Sequence, residues 1–70
     1  MSMVKVIVNG MDLEVRRGTQ LSELLDRMEE TGRSDLLVEI NNRFIHEKAY
    51  ASVVVQEGDE IEIMHMAVGG

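Results

Sequence analysis

Along residues 3–9 the side chains Val4, Val6 and Val8 fall two apart, on one face of an extended chain, with Lys5 on the other. That period of two, in a run rich in β-branched residues, predicts a strand with one buried and one partly wet face. Asn9-Gly10 follows, and this pair between two alternating apolar runs is the strongest local signal for a tight hairpin. The return strand over 11–16 puts Met11, Leu13 and Val15 on one side and Asp12, Glu14 and Arg16 on the other. Ile7 falls on the wet face, where it serves either as peripheral packing or as part of a docking patch.

After Arg17-Gly18 the period changes. Leu21, Leu24, Leu25 and Met28 stand at i, i+3, i+4 and i+7, one apolar stripe of an amphipathic helix. Thr19 is placed to cap its start and Gly32, after Thr31, to end it in a left-handed turn. A single stripe cannot bury itself, so the helix is expected to lie across the apolar face of the hairpin. Residues 37–41 make a third strand with Val38 and Ile40 inward. Asn41-Asn42 turns it into a short fourth strand, Arg43-Phe44-Ile45. Residues 46–56 have the weakest periodicity; Tyr50 and the Val53-Val54-Val55 run there are expected to cover an edge of the core. Glu57-Gly58-Asp59 reads as a turn before a last strand over 60–66. There Ile61 and Ile63 point inward, while Glu60, Glu62 and Met64 point outward. The prediction is one compact α+β unit.

Composition narrows what such a unit can do. Seventy residues make one domain near the lower size limit for folding without staples. There is no Cys and no Pro, and only one Tyr and one Phe, so the core is aliphatic and no disulfide or thiolate chemistry is open to the chain. Thirteen acidic against seven basic residues give a net charge of −6, which disfavours a nucleic-acid partner and suits one with a basic docking surface. No apolar run approaches the roughly 20 residues of a membrane span. The start, Met1-Ser2-Met3-Val4-Lys5, has no signal-peptide pattern, so a cytoplasmic protein is expected.

Catalytic chemistry finds no foothold in the pattern. His46 and His65 are far apart and without Cys neighbours, so surface roles are expected for both rather than metal ligation. No nucleophile triad or phosphate-binding loop is present. The many carboxylates alternate with apolar positions, as those of a solvated face do. The chain reads as not an enzyme. Its distinctive feature is the end, Ala67-Val68-Gly69-Gly70, expected to be a flexible tail beyond a domain over 1–66. A diglycine arm lacks the Cβ atoms that would block entry into a narrow channel. Its carboxylate is a candidate for chemistry done to the protein. Met64 and Met66 lead into this arm; Met64, with Ile63 taking the inward position, is favoured as a docking residue, and Met66 stays open between docking and core filler.

Taken in order, the Asn9-Gly10 hairpin, Gly18-Thr19, Leu21-Leu24-Leu25, Val38-Ile40-Asn41, Glu57-Gly58-Asp59 before Ile61-Glu62-Ile63, and terminal Gly69-Gly70 resemble the ThiS/MoaD sulfur carriers. The similarity covers essentially the whole chain and is closest to the ThiS branch. It implies a β-grasp, ubiquitin-like fold: a mixed four- to five-stranded sheet on one main helix, with the first and last strands parallel neighbours. Residues 46–50 match the family loosely, and His65-Met66-Ala67-Val68 differ from its commoner variants.

The resemblance also implies a function. An ATP-dependent, ubiquitin-activating-type enzyme would adenylate Gly70, and a persulfide donor such as a cysteine desulfurase would convert it to a thiocarboxylate. A downstream synthase such as thiazole synthase would then take the sulfur. ATP belongs to the activating enzyme, and no cofactor is expected on this chain, which is expected to be a monomer when free. Ile7, Phe44, Met64 and Met66 are the expected partner-binding residues. From Met66 to Gly70 an extended arm spans roughly 17 Å at about 3.3–3.6 Å per residue. Thiamine thiazole is the favoured destination of the sulfur; a molybdopterin pathway, a protein modifier joined to lysines through Gly70, and a non-covalent adaptor are the alternatives.

Overall fold

The computed structural model describes residues 2–66. The predicted hairpin forms as β1 (Met3–Val8) and β2 (Met11–Arg16), paired antiparallel with Val8 opposite Met11 and Met3 opposite Arg16. Asn9 and Gly10 both have positive φ, +50° and +84°, the geometry of a tight turn whose twist matches that of the strands. Then come α1 (Leu21–Arg27), β3 (Leu36–Ile40), β4 (Arg43–Ile45), a 3₁₀ turn (Glu47–Ala49) and β5 (Glu60–His65).

The strands form one sheet in the order β2-β1-β5-β3-β4. β1 and β5 are parallel, with Val8 beside Ile61, and the other pairings are antiparallel. This is the β-grasp arrangement that the resemblance implies. Parallel neighbours need a long crossover, and everything from β2 to β4 supplies it. Val4, Val6, Val8, Val15, Val38, Ile40, Ile61 and Ile63 line one face of the sheet, and Leu21, Leu24 and Leu25 of α1 bury against them with Val55. Each such aliphatic side chain removed from water stabilises by about 1.5–3 kcal/mol.

Both helix ends differ from the expectation. The residue flanking the start is Gln20, whose N–H donates to Glu23 Oε1 at 2.9 Å. The Thr19 hydroxyl instead donates back to the Arg16 carbonyl at 2.7 Å. The first-turn amides find partners far along the chain: Leu21 N–H donates to the Val53 carbonyl at 2.8 Å and Ser22 N–H to the Tyr50 carbonyl at 2.9 Å. The irregular segment therefore satisfies donors that a Thr cap would otherwise have served. At the other end the left-handed residue is Glu29 (φ +62°), not Gly32. Glu30 N–H reaches the Leu25 carbonyl at 2.8 Å and Glu29 N–H the Asp26 carbonyl at 3.0 Å, the pair of bonds that closes a Schellman cap. Gly32 lies in the loop beyond.

Met28, which follows α1, lines a cleft with Val8, Asn9 and Met11 at the hairpin tip. Met11, expected inward, is 72% exposed, and Met28 sits half-exposed beside it. Within the irregular segment Val55 is buried and Tyr50 and Val53 pack on the core, while Val54 is exposed. Among the described residues no helix is long and apolar enough to cross a membrane. Ala67, Val68, Gly69 and Gly70, the expected tail and modified residue, lie outside the described residues.

Candidate functional site

The helix covers one face of the sheet and leaves the other open. Alternation and register decide what that open face displays. β5 presents Glu60, Glu62 and Met64; β3 presents Leu37 and Glu39; β4 presents Phe44; β1 and β2 present Met3, Lys5, Ile7, Asp12, Glu14 and Arg16. Met64 lies directly opposite Leu37, both half-buried. One row along, Glu62 faces Glu39, and Glu39 faces Phe44. Phe44 is 57% exposed and meets His46 edge to face, with ring centres 6.3 Å apart.

The four expected partner-binding residues thus separate into groups. Met64 and Phe44 belong to one apolar surface, joined by Leu37, which is diagonal to Phe44 and opposite Met64. Ile7 pairs with Glu60, four residues before Met64, which sets it about 13 Å away along the strand direction at 3.3 Å per residue. It stands half-buried between Glu60 and Asp12 as a separate apolar point. Met66 is half-exposed, its N–H bonded to the Asp35 carbonyl at 2.7 Å. Leu37 was missed by the sequence reading. Its signal was available, since inward Val38 and Ile40 force Leu37 outward. Five carboxylates (Asp12, Glu14, Glu39, Glu60, Glu62) rim these apolar points against two cations, Lys5 and Arg16, so this face suits a partner with a basic rim.

A second group of polar residues lies where β5 runs out. His65 Nε2 and Glu30 Oε1 are 2.8 Å apart. Arg33 donates from Nε and an Nη atom to both Asp35 carboxylate oxygens at 3.0 and 2.9 Å. Those hydrogen bonds, with the cation's charge, hold the Asp35 carboxyl below its usual range and raise Arg33. Nearby, burial pushes the Tyr50 phenol up, with the Glu47 charge adding to it, so the phenol stays protonated.

The described residues assemble no catalytic constellation. None of the charged side chains is buried, and no cluster of His, Asp and Glu converges as metal ligands would. Two clefts among the described residues are small, about 180 Å³ beside Tyr50 and Arg33 and about 200 Å³ between Met11 and Met28. Pockets that enclose a small molecule run to roughly 300–1,000 Å³. What the geometry offers is a sheet face not covered by the helix, with an apolar centre at Met64, Leu37 and Phe44, and a hydrogen-bonded point, Met66, from which the chain continues.

The fold is shared with solved structures. The crystal structure of a thiamine biosynthesis protein (ThiS) from Geobacter metallireducens superposes with a TM-score of 0.82 at 25% identity, over 96% of this chain and all of that one. A solution structure of a thiamine biosynthesis protein from the same organism gives a TM-score of 0.74 at 23% identity, over 96% of this chain and 88% of that one. No curated protein matches the chain. The ThiS family model matches residues 4–70, through the terminal diglycine, and the chain therefore belongs to the ThiS family.

Proposed function

We propose that the chain is the sulfur carrier of thiamine thiazole formation and that Gly70 is the residue that carries the sulfur. The observation that supports this most is the extent of the family match, which runs from β1 through Gly70. The chain itself is not an enzyme in this reading; it is a substrate handed between enzymes of the cytoplasm.

A carboxylate resists nucleophiles because resonance and negative charge oppose attack. An adenylating enzyme of the ubiquitin-activating type solves this with ATP. A Gly70 carboxylate oxygen attacks the α-phosphorus, the bond to the β-phosphate breaks, and pyrophosphate leaves. The terminal sulfur of a persulfide donor, such as a cysteine desulfurase, then attacks the acyl carbon and AMP departs with the bonding pair. A second thiol cleaves the resulting acyl disulfide, leaving a thiocarboxylate on Gly70 and a disulfide on the donor side. The thiocarboxylate sulfur passes to an acceptor held by a synthase such as thiazole synthase.

The open sheet face is the docking surface in this cycle, with Met64, Leu37 and Phe44 as its apolar centre, Ile7 as an outlying contact and Met66 at the root of the arm. The absence of Cys gives the reading a direct test. Protein isolated from its native cells is treated with iodoacetamide and weighed intact. One rapid alkylation located at Gly70 is the expected result, since no other thiol exists in the chain. An unlabelled terminus after incubation with ATP, a sulfur donor and the adenylating enzyme overturns it, and lysine adducts through Gly70 would mark a protein modifier instead. Deleting Gly70 is expected to leave folding intact and abolish adenylation.

A further inference from the structure

The sulfur-carrier reading leaves one polar cluster unused: the group where β5 ends. Glu30 comes from the Schellman cap of α1, where its own N–H is tied to the Leu25 carbonyl at 2.8 Å, so its backbone is fixed by the helix. Its side chain is only 17% exposed and meets His65 Nε2 at 2.8 Å. One residue later, Met66 N–H donates to the Asp35 carbonyl at 2.7 Å, which continues the β3–β5 ladder beyond the Leu36–His65 pair. Asp35 in turn is held through its side chain by both donors of Arg33. Three elements, the end of α1, the loop into β3 and the end of β5, are thereby laced together on two consecutive residues of the last strand.

Neither pair contributes to the core, and the β3–β5 ladder would hold as far as Leu36 without them. Their effect is local: they define where in space residues 65 and 66 lie. We propose that Glu30 and Asp35 are positioning residues that fix His65 and Met66, the root from which the Gly70 arm continues, so that an enzyme docked on the open face meets that root already in place. This inference rests on the carrier reading. An arm whose root wanders must be ordered at the moment of binding, and that cost falls on productive association rather than on the chemical step. The pair is half-exposed on its histidine side, so the effect is modest.

The test uses the full chain, ATP, labelled pyrophosphate and the adenylating enzyme of the same cells, with exchange measured as a function of carrier concentration. Glu30→Ala is expected to raise KM about two- to fivefold, the size of a partly exposed pair, with kcat unchanged. Glu30→Gln, which keeps an acceptor for His65, is expected to restore most of the loss. His65→Ala should match Glu30→Ala, and the double variant should be no worse than either alone, because the two act as a unit. Amide exchange at Met66 should quicken in Glu30→Ala while the exchange of Val6 and Ile61 stays as it was. Unchanged KM in Glu30→Ala overturns the inference while leaving the carrier reading in place. Additive losses in the double variant also overturn it, since they mean two separate contacts with the enzyme. Absence of exchange with the wild-type chain overturns the carrier reading and this inference together.

Discussion

β1 stops at Val8 because the hairpin turns there, yet its neighbour β5 runs on to His65. The missing rung is supplied by a side chain. Asn9 Oδ1 accepts the Ile63 N–H at 2.8 Å, and Asn9 Nδ2 donates to the Ile63 carbonyl at 3.3 Å. The carboxamide stands in for the next peptide group of β1 and ties the hairpin tip to the strand that leads to the arm. Asn9→Ala should be costly for two separable reasons. It leaves partly buried backbone groups of Ile63 without these partners, about 1–3 kcal/mol. It also places an alanine at φ +50°, about another 1 kcal/mol. The sum, about 2–4 kcal/mol, is a large share of the roughly 4–10 kcal/mol expected of a 70-residue domain. Asn9→Gly removes the backbone penalty and keeps the hydrogen-bond loss, so it should sit about 1 kcal/mol above the alanine variant. Urea unfolding followed by circular dichroism reads both differences from midpoints at a common slope. An Asn9→Ala midpoint indistinguishable from wild type would refute the bridging role. Equal losses in the two variants would refute the backbone part.

Other expectations follow from single contacts. Met64→Asp should keep the fold and raise the KM for adenylation by about tenfold, as loss of an apolar anchor does; an unchanged KM would remove this face from docking. Glu29→Gly relieves a left-handed residue at the helix cap and should stabilise by about 0.5–1 kcal/mol, visible as a higher Tm in calorimetry. Asp35 has a depressed folded pKa, because Arg33 hydrogen-bonds its charged form. Its contribution to stability is therefore complete above the ordinary carboxylate value of about 3.9 and is lost as pH falls through the lower folded value. Carbon NMR titration should show this, and Arg33→Ala should return Asp35 to the ordinary range.

The order of residues determined most of the elements, because those depend on local periodicity. The alternation of Val4, Val6 and Val8, the Asn9-Gly10 turn and the Leu21-Leu24-Leu25 stripe each needed only their own neighbours to be read. The inward pairs Val38–Ile40 and Ile61–Ile63 were legible for the same reason, and with them the outward position of Met64. The class of the fold and the ordered motifs ending in Gly69-Gly70 were equally plain. Tertiary structure decided what depends on residues distant in sequence. The helix start is capped by carbonyls of Tyr50 and Val53, so Thr19 was free to bond backward, and no local rule reports that. The helix ends at Arg27 because bonds from Glu29 and Glu30 to the Asp26 and Leu25 carbonyls close it there, with the left-handed residue at Glu29, three residues before the glycine that local preference favoured. Periodicity assigns a residue to a face, but only the strand order and register say which residues on that face are neighbours. That is why Met64, Leu37 and Phe44 form one surface while Ile7 stands apart from it. For the same reason Glu30 and Asp35, loop residues without a sequence pattern, come to lie against His65 and Met66, 35 and 31 positions away.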